Sequence, residues 1–306
     1  MSRLVIATRK SPLAIKQTEQ VSQRLRAYHP DLTIELLPIT TLADQFLKVP
    51  LTEMGGKGVF VKELEEALLA HHADIAVHSM KDVPMELPPG LSLPVVCPRV
   101  DPRDVLVANE FTTFEALPPA ALIGTSSLRR QSQLLGLRPD LNIVHLRGNV
   151  NSRLKRLDQG EFAGLILAAA GLKRLELESR ITDYFSPQAM LPAAGQGALG
   201  IECRSDDKDT LGLIESLQDI STLHCVQAER AMCTKLGAGC MVPVAAYAEM
   251  HEEMLHLRGL VADESGAIQL RAEAKGHFTE AEILGTRVAD ALLKQGAAAL
   301  LAALKQ

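Results

Sequence analysis

Short apolar runs of strand length alternate along the chain with longer segments in which apolar residues recur every three or four positions. Residues 3–7 form the first such run, and the segment behind it carries Leu13, Ile15 and Val21 at helical spacing. Ser11 and Pro12 lie between the two, where the N-cap and the first residue of a helix belong. This order of strand, polar loop and amphipathic helix predicts an α/β unit with a parallel sheet.

The same order recurs further along the chain. Val61, Leu64 and Leu68 have helical spacing and precede an apolar, buried strand at residues 75–77. In the middle third of the chain, a glycine follows each of two predicted helices at the position where a helix commonly ends. In that third the pattern predicts strands at residues 121–124, 143–146 and 165–168, with helices that begin near Leu128 and Val150 and stop at Gly136 and Gly160.

Two proline-containing segments, residues 97–102 and 191–197, bracket the middle third and indicate two crossings of a hinge. The chain would leave one domain, build a second, and return. From about residue 220, helical stretches mix with short strands at residues 255–261 and 268–272, which indicates a smaller α+β domain. The predicted domains are residues 1–97 with 198–216, residues 103–192, and residues 220–306.

Composition narrows the function classes. The 306 residues are 47% hydrophobic and carry a net charge of −5, so the chain can bury a core but lacks the basic excess of a nucleic-acid or membrane-surface binder. The N-terminal residues run directly into a strand, and no apolar stretch reaches membrane-spanning length, so we expect a cytoplasmic protein. The five cysteines include no C-x-x-C pair and fit no common zinc module, which predicts reduced thiols and no metal.

Basic residues gather where predicted strands end, the place where open α/β sheets bind ligands. Arg129 and Arg130 fall in the first turn of a helix, where the helix dipole disfavours cations. A bound anion would make this placement favourable, whereas the alternative is that both arginines pair with surface carboxylates. The predicted cleft would hold a substrate with several anionic groups and is lined by Arg9, Lys81, Arg129, Arg130, Arg147 and Arg153.

Two further residues are candidates for chemistry. Asp82 follows Lys81 at a strand end, where an ionised carboxylate could stabilise a developing cation or orient an N–H group. The alternative is a structural partner of Lys81 or of backbone amides. Cys240 follows a loop of small residues and could be a covalent attachment point. The glycines at 195, 197 and 200 match the dinucleotide-binding spacing, but no strand precedes them, so we reject that interpretation.

Several separated motifs, in order, resemble those of the porphobilinogen deaminases, also called hydroxymethylbilane synthases. The resemblance covers nearly the whole chain. The chain departs from the family pattern at Ala43, at residues 151–152 and at residues 237–238. The matching motifs are residues 7–14 (ATRKSPLA), 55–63 (GGKGVFVKE), 76–82 (AVHSMKD), 124–131 (GTSSLRRQ), 146–150 (LRGNV), 191–200 (LPAAGQGALG), 228–232 (AERAM) and 239–240 (GC).

The resemblance implies an α/β fold of two periplasmic-binding-protein-like domains joined by a hinge, plus a smaller α+β C-terminal domain. It also implies a monomeric cytoplasmic transferase of haem biosynthesis. Such an enzyme joins four porphobilinogen molecules head to tail on a covalently bound dipyrromethane primer, with release of ammonia. It then releases the linear tetrapyrrole hydroxymethylbilane by hydrolysis. Each porphobilinogen brings an acetate and a propionate, which accounts for a cationic cleft.

The resemblance also implies roles for individual residues. Asp82 matches the catalytic aspartate, which holds pyrrole N–H groups and stabilises the cation that forms when ammonia leaves. Cys240 matches the cysteine that bears dipyrromethane, and residues 41–58 resemble a mobile lid. The substrate positions are Arg9, Ser11, Gln17, Phe60, Arg147 and Arg153, and the cofactor positions are Lys81, Asp82, Thr125, Ser127, Arg129, Arg130, Arg147, Arg153 and Gln196.

Two other functions compete with this one. A two-lobed anion- or solute-binding protein without catalysis would explain the strand-end arginines, but it would explain neither Cys240 nor a third domain. A phosphoribosyl- or nucleotide-dependent transferase should carry an acidic, glycine-rich phosphate loop, which the sequence lacks. For the preferred function the partners are porphobilinogen alone, with no nucleic acid and no membrane.

Overall fold

The structure, a computed structural model, describes residues 3–42, 61–239 and 242–303. The chain divides into two compact units: unit 1 is Met1–Val100 with Ala198–Leu223, and unit 2 is Asp101–Gly197 with His224–Gln306. The strands are β1 Arg3–Arg9, β2 Thr33–Ile39, β3 Ile75–Ser79, β4 Leu91–Val96, β5 Asp104–Val107, β6 Leu122–Gly124, β7 Asn142–Val144, β8 Gly164–Ala168, β9 Asp183–Tyr184, β10 Leu199–Arg204, β11 Val244–His251, β12 Met254–Ala262 and β13 Gln269–His277. The α-helices are α1 Pro12–Tyr28, α2 Lys62–Leu69, α3 Leu128–Leu137, α4 Val150–Asp158, α5 Ala169–Arg174, α6 Lys208–Ile214, α7 Ile220–Lys235, α8 Ala281–Lys294 and α9 Ala297–Ala303. Short 3₁₀ helices cover Met80–Asp82, Glu178–Arg180, Glu215–Leu217 and Phe278–Glu280.

Unit 1 is built on a five-stranded sheet in the order β2-β1-β3-β10-β4. Strand β1 is parallel to β2 and β3, whereas β10 is antiparallel to β3 and β4. Apolar side chains from the strands and from α1 form its core, among them Leu4, Ile6 and Leu25. Ser11 is the N-cap of α1, as predicted, and accepts a hydrogen bond from the backbone N–H of Ala14.

The buried face of α1 is more polar than its apolar spacing predicts. Gln17, Thr18 and Ser22 are buried, while Leu13 and Ile15 are only half-buried. The polar groups are satisfied locally, because the Thr18 hydroxyl bonds to the Thr8 hydroxyl at 2.8 Å and to the Ala14 carbonyl at 3.0 Å. Hydrogen bonding removes most of the cost of burying these hydroxyls, so the face can pack without being wholly apolar.

Unit 2 contains a second five-stranded sheet in the order β7-β6-β8-β5-β9. Strand β6 is parallel to β7 and β8, but β5 is antiparallel to β8 and β9. The predicted parallel pairing is confirmed for β1 with β2 and β3 and for β6 with β7 and β8, whereas the antiparallel direction of β5 and β10 was not predicted. Strands β5 and β10 each follow a segment on which the chain passes from one unit to the other, so each enters its sheet from the opposite end.

The C-terminal part of unit 2 has an antiparallel sheet in the order β11-β12-β13, against which α8 packs. Strand β13 extends to His277, well beyond the predicted strand at residues 268–272. Strand β11 was not predicted, because its alanine-rich sequence has weak strand propensity and strand pairing decides its conformation. Leu191 packs against Tyr247 and Leu260, which fixes this sheet to the rest of unit 2.

Gly136 lies inside α3, so the prediction that it ends this helix was wrong. A Cβ at this position would collide with the side-chain amide of Gln269. Gln269 in turn donates to the Ser132 carbonyl of the same helix at 3.2 Å. Gly136 therefore allows β13 to approach α3 closely. Gly160, by contrast, has a φ of +77° directly behind the helix end at Gln159, as predicted.

The fold-class prediction is confirmed: the chain forms two mixed α/β lobes and a small C-terminal part with a three-stranded sheet and helices. The boundaries of the predicted three domains stay a prediction. The described cysteines Cys97, Cys203, Cys225 and Cys233 are buried thiols, as expected. Among the described residues, no helix combines the length and apolar character that crossing a bilayer requires.

Candidate functional site

In unit 1 the predicted residues follow the carboxyl ends of two neighbouring strands. Strands β1 and β3 are parallel and adjacent, so Arg9 and the turn after β3 lie at the same edge of the sheet. The Met80–Asp82 3₁₀ helix begins directly after β3. The Met80 N–H donates to the Ala198 carbonyl at 3.0 Å, which fixes the start of this turn. Lys81 and Asp82 are half-buried, so both can reach a ligand.

Gln17 and Ser11 connect α1 to the same edge. The Gln17 side-chain N–H donates to the Ser79 hydroxyl at 2.8 Å, one residue before the turn that carries Asp82. The Ser11 hydroxyl caps the helix by accepting from Ala14 at 3.3 Å. The structure thus brings Gln17 to the end of β3, and it gives Ser11 a structural role. Their binding of substrate stays a prediction.

In unit 2 the loops after β6 and β7 lie at one sheet edge, because these strands are parallel neighbours. Ser127 is the N-cap of α3 and accepts from the Arg130 N–H at 3.4 Å. Thr125 is buried, and its hydroxyl accepts from the Ser127 N–H at 3.3 Å. Both hydroxyls therefore shape the loop, and each keeps its O–H as a donor for a ligand.

Arg129 and Arg130 both bind the buried carboxylate of Asp104. Arg129 Nη1 lies 2.7 Å from Asp104 Oδ2, and Arg130 Nε lies 2.9 Å from Oδ1. Gln196 Nε2 donates to the same Oδ1 at 3.0 Å. Asp104 is 0% exposed, and the arginines are 4% and 6% exposed. Burial raises the pKa of Asp104, but the charges of Arg129 and Arg130 outweigh it and hold the pKa far below its ordinary value.

This cluster changes the interpretation of the two arginines. The alternative of pairing with carboxylates was right about the partner type, but it was wrong to place that partner on the surface. Two guanidinium groups share one carboxylate, so the cluster keeps one positive charge in excess at neutral pH. A ligand carboxylate could use that charge, and the role of Arg129 and Arg130 in cofactor binding stays a prediction.

Arg147 and Arg153 are half-buried in the segment after β7. Arg153 Nε donates to the Gly148 carbonyl at 2.8 Å, and its Nη2 donates to the Ser126 hydroxyl at 3.2 Å, so the guanidinium is fixed in place. Partial burial lowers the pKa of His145, and the charges of Arg147 and Arg153 lower it further. The local potential is therefore positive, as an anion site requires.

Gln196 lies on a loop that several buried side chains hold in place. The Glu229 carboxylate accepts from the Gly195 N–H at 2.7 Å, and Arg174 donates to the Gly197 carbonyl at 2.8 Å. Gly195 and Gly197 have φ values of +72° and +89°, which glycine adopts without strain. The loop leads into β10 and not into a helix, so the rejection of a dinucleotide-binding interpretation is confirmed.

The predicted cofactor cysteine and most of the predicted lid cannot be placed in this fold. Cys240, Phe60 and residues 43–58 of the lid lie outside the described residues. The chain is described up to Gly239. The Gly237 φ of +61° and the Ala238 N–H bond to the Cys233 carbonyl at 3.0 Å end α7, as in a Schellman motif. Cys240 therefore follows a helix end by a few residues.

Sequence reasoning missed Asp104 and a buried cluster in unit 1 formed by Glu65, His78 and Glu202. The sequence held one sign of two of these acidic residues, namely a charged residue within an apolar strand. Asp104 is the first residue of the apolar strand β5, and Glu202 lies inside the mainly apolar strand β10. A charged residue in such a run needs a partner, because an unpaired buried charge is costly. The sequence does not show which residue the partner is.

Glu65 gives a prediction about stability and pH. Burial raises the pKa of Glu65 to about 7, and the charge of Glu202 adds to the shift. Between the ordinary carboxyl pKa and about 7, the folded chain holds a proton that the unfolded chain has released, so stability falls as pH rises. Glu65→Gln is therefore expected to stabilise the protein at pH 8.5, by about 1 to 2 kcal/mol after allowance for solvent screening.

Urea unfolding of the wild type and Glu65→Gln at pH 5 and pH 8.5 measures this difference. At pH 5 the folded wild type carries a neutral Glu65 and only its unfolded state is largely ionised at this position, so the two unfolding free energies should differ much less than at pH 8.5. Glu66→Gln is a matched control, because Glu66 is exposed on the same helix and its substitution should give a pH-independent change. An equal effect of Glu65→Gln at both pH values contradicts the prediction.

The residues present suit a cofactor that carries several carboxylates. Arg147 and Arg153 are accessible cations in a positive potential, and the Asp104 cluster keeps excess positive charge. Thr125 and Ser127 add hydroxyl donors at the same sheet edge. In the ranges 3–42, 61–239 and 242–303, no group of three or more His, Cys, Asp or Glu residues could hold a metal ion.

The chain is similar to several solved structures of solute-binding proteins. A periplasmic substrate-binding protein of an ABC transporter from Coxiella burnetii is 15% identical, with 72% of this chain and 94% of that chain covered and a TM-score of 0.45. A putative methionine-binding lipoprotein from Bacillus subtilis is 13% identical, with 71% and 91% covered and a TM-score of 0.44. The aliphatic sulphonate binding protein SsuA from Escherichia coli is 14% identical, with 76% and 70% covered and a TM-score of 0.42. Likeness at this level assigns neither ligand nor activity.

Two protein-family models match the chain, and together they assign it to one family. Residues 4–212 match "Porphobilinogen deaminase, dipyromethane cofactor binding domain". Residues 223–294 match "Porphobilinogen deaminase, C-terminal domain". The first match includes all the strand-end residues described above, and the second includes most of α7 and the whole three-stranded sheet. The chain belongs to the porphobilinogen deaminase family, a family of transferases of tetrapyrrole biosynthesis that bind a dipyrromethane cofactor.

Proposed function

We propose that the protein joins four porphobilinogen molecules head to tail into hydroxymethylbilane, on a dipyrromethane primer attached to Cys240. The observation that carries the proposal is the turn after β3, where Asp82 is half-buried beside Lys81 at the sheet edge that also presents Arg9. The Asp82 carboxylate is a negative group among cationic ones, and it is exposed enough to contact a ligand. It is therefore available to stabilise positive charge on a substrate.

Unit 1 would supply the catalytic group. The aminomethyl group of porphobilinogen reacts in its ammonium form: the carbon–nitrogen bond breaks, and its electron pair leaves with the nitrogen as ammonia. The remaining carbon becomes electron-poor, and the ionised Asp82 stabilises this charge while it accepts pyrrole N–H bonds. Gln17, fixed against Ser79, and Arg9 would orient the incoming ring through its polar groups.

The cofactor, when bound, would supply the free pyrrole α-carbon that bonds to the electron-poor carbon and gives up its hydrogen as a proton. Lys81, Thr125, Ser127, Arg147, Arg153 and Gln196, together with the excess charge of Arg129 and Arg130, would hold the cofactor and chain carboxylates. Planar guanidinium groups suit this role because they bind carboxylates through paired hydrogen bonds. Each addition brings two more carboxylates, so several cations are needed along the path.

We expect the active species to be a cytoplasmic monomer, as the family resemblance implies.

Intact mass under denaturing conditions tests the proposal. The purified protein should be heavier than its sequence by two linked pyrrole units, and the excess should map to the peptide that holds Cys240. Porphobilinogen should then be consumed with release of one ammonia for each molecule added. Cys240→Ser should lack both the excess mass and the ammonia release.

Cys233→Ser is the matched control, because Cys233 is a buried thiol close by in sequence and is expected to keep the excess mass. A solute-binding protein without catalysis predicts a different result. It would bind porphobilinogen without releasing ammonia and would carry no covalent group. That outcome would overturn the proposed function.

A further inference from the structure

A buried cluster of titratable residues lies next to the proposed catalytic turn in unit 1. His78 of β3 and Glu202 of β10 are 5% and 1% exposed, and His78 Nε2 lies 2.8 Å from Glu202 Oε2. Glu65 of α2 is 8% exposed and is close enough for the charges of His78 and Glu202 to act on it. Residue 78 is only four positions before Asp82. None of the predicted substrate or cofactor contacts includes these three residues.

The cluster is a poor source of stability. Removing two such groups from water costs more than an apolar pair of similar size, and one partner here is incompletely satisfied. Glu202 Oε1 is buried and has no hydrogen-bond partner in the part of the chain that the structure describes. A buried ionic pair that contributes little to stability can instead fix a local geometry, and the geometry near this pair is that of the catalytic turn.

The pairing of β3 with β10 shows how the histidine could act on the turn. Gly200 pairs with His78 and Leu199 pairs with Ser79, so β10 runs along the last residues of β3. The next backbone bond, from the Met80 N–H to the Ala198 carbonyl, belongs to the turn itself. Adjacent side chains of a strand point to opposite faces, so His78 and Ser79 anchor the strand end from two sides.

The two anchors are complementary. On one face Ser79 accepts from Gln17 of α1 at 2.8 Å. On the other face His78 contacts Glu202, two residues beyond its own partner on β10. In the tautomer that carries its proton on Nε2, the imidazole donates to the Glu202 carboxylate, and this hydrogen bond fixes the orientation of the ring. The end of β3 is thus held from α1 and from β10 immediately before Lys81 and Asp82.

We propose that His78 and Glu202 are positioning residues for the porphobilinogen deaminase reaction: their hydrogen bond sets the direction of the turn that presents Asp82. The proposal rests on the proposed function, in which Asp82 stabilises the developing cation. A shift of about 1 Å in a group of this kind can lower turnover by about 100-fold. The hydrogen bond should therefore affect kcat much more than the binding of substrate.

The decisive variant is the double substitution His78→Leu with Glu202→Leu. It replaces the buried pair by apolar side chains of similar size, a change that is often neutral or stabilising, so the protein should fold and keep the cofactor mass. We expect kcat to fall by about 30- to 100-fold and KM to stay within about threefold. Glu202→Gln keeps an oxygen that can accept from Nε2 and should recover most of the lost turnover.

The matched control is His256→Leu with Glu273→Leu. These residues form a His–Glu pair of similar length, 3.0 Å, between β12 and β13, and no substrate or cofactor role is assigned to them. This variant should turn over like the wild type. The proposal is wrong if the double variant at 78 and 202 keeps kcat within about threefold, or if Glu202→Gln is as slow as the double variant.

Ammonia release by the wild type separates the two levels of inference. If the wild type carries the cofactor and releases ammonia, and the double variant is fully active, only the positioning role is overturned. A wild type that releases no ammonia overturns the proposed function and the positioning role with it. A double variant that fails to unfold cooperatively is replaced by Glu202→Leu alone, which removes the partner of His78 Nε2 and for which the same loss of kcat is expected per folded molecule.

Discussion

Asp82→Asn is expected to lower kcat by about 10²- to 10³-fold while KM stays within about threefold. The substitution keeps the size and the hydrogen-bonding outline of the side chain and removes only its negative charge. If that charge stabilises the cation that forms as ammonia leaves, its removal raises the barrier of this step and leaves ground-state binding almost unchanged. Steady-state release of ammonia from porphobilinogen measures both constants.

The structure gives reasons to expect intact folding in this variant. Asp82 is half-buried on a short 3₁₀ turn, and the backbone of that turn is fixed by the Met80 bond to Ala198. Asp206→Asn is a suitable control, because Asp206 is an exposed aspartate of the same unit, in the turn after β10, and should leave kcat unchanged. Retention of a third or more of the wild-type kcat, or a loss of stability parallel to the loss of activity, argues against a catalytic Asp82.

Asp104→Ala is expected to lower the free energy of unfolding by about 3 to 5 kcal/mol, the usual cost of leaving a buried charge without its partner. Asp104 receives hydrogen bonds from Arg129, Arg130 and Gln196. Its loss leaves two guanidinium groups in a site where they are 4% and 6% exposed. Urea unfolding of the two proteins at pH 7 measures the difference.

The pH dependence of this effect follows from the direction of the shift. The pKa of Asp104 is held below its ordinary value, so its stabilising contribution is present above the pKa of an unfolded aspartate and is lost only in acid. The difference between wild type and Asp104→Ala should therefore be constant from pH 6 to pH 9. Asp140→Asn is the control: Asp140 also pairs with an arginine, Arg138, through two bonds, but on the exposed surface, so no measurable change is expected. Equal effects at the two positions would contradict the interpretation of the buried cluster.

The site was more predictable than its internal contacts. The ends of the strands could be predicted from the sequence, because apolar runs stop at basic residues. The family resemblance gave the expected roles of Asp82 and Cys240. The partner of Arg129 and Arg130 was not readable, because Asp104 is about 25 residues away in sequence and reaches them only through the pairing of β5 with β8. The same holds for His78 and Glu202, which lie 124 positions apart and meet only across β3 and β10.

By itself the sequence determined the alternation of strands and helices, the capping of α1 by Ser11 and the identity of the family motifs, because each depends on residues close together in the chain. Tertiary structure alone decided the direction of β5 and β10, the passage of α3 through Gly136, and the pairing of the buried carboxylates of Asp104 and Glu202. These features depend on which distant segments become neighbours, and hydrophobic periodicity carries no information about that. Buried charges are the clearest case, since a lone charge in an apolar run shows that a partner must exist, while only the packed sheet decides which residue it is.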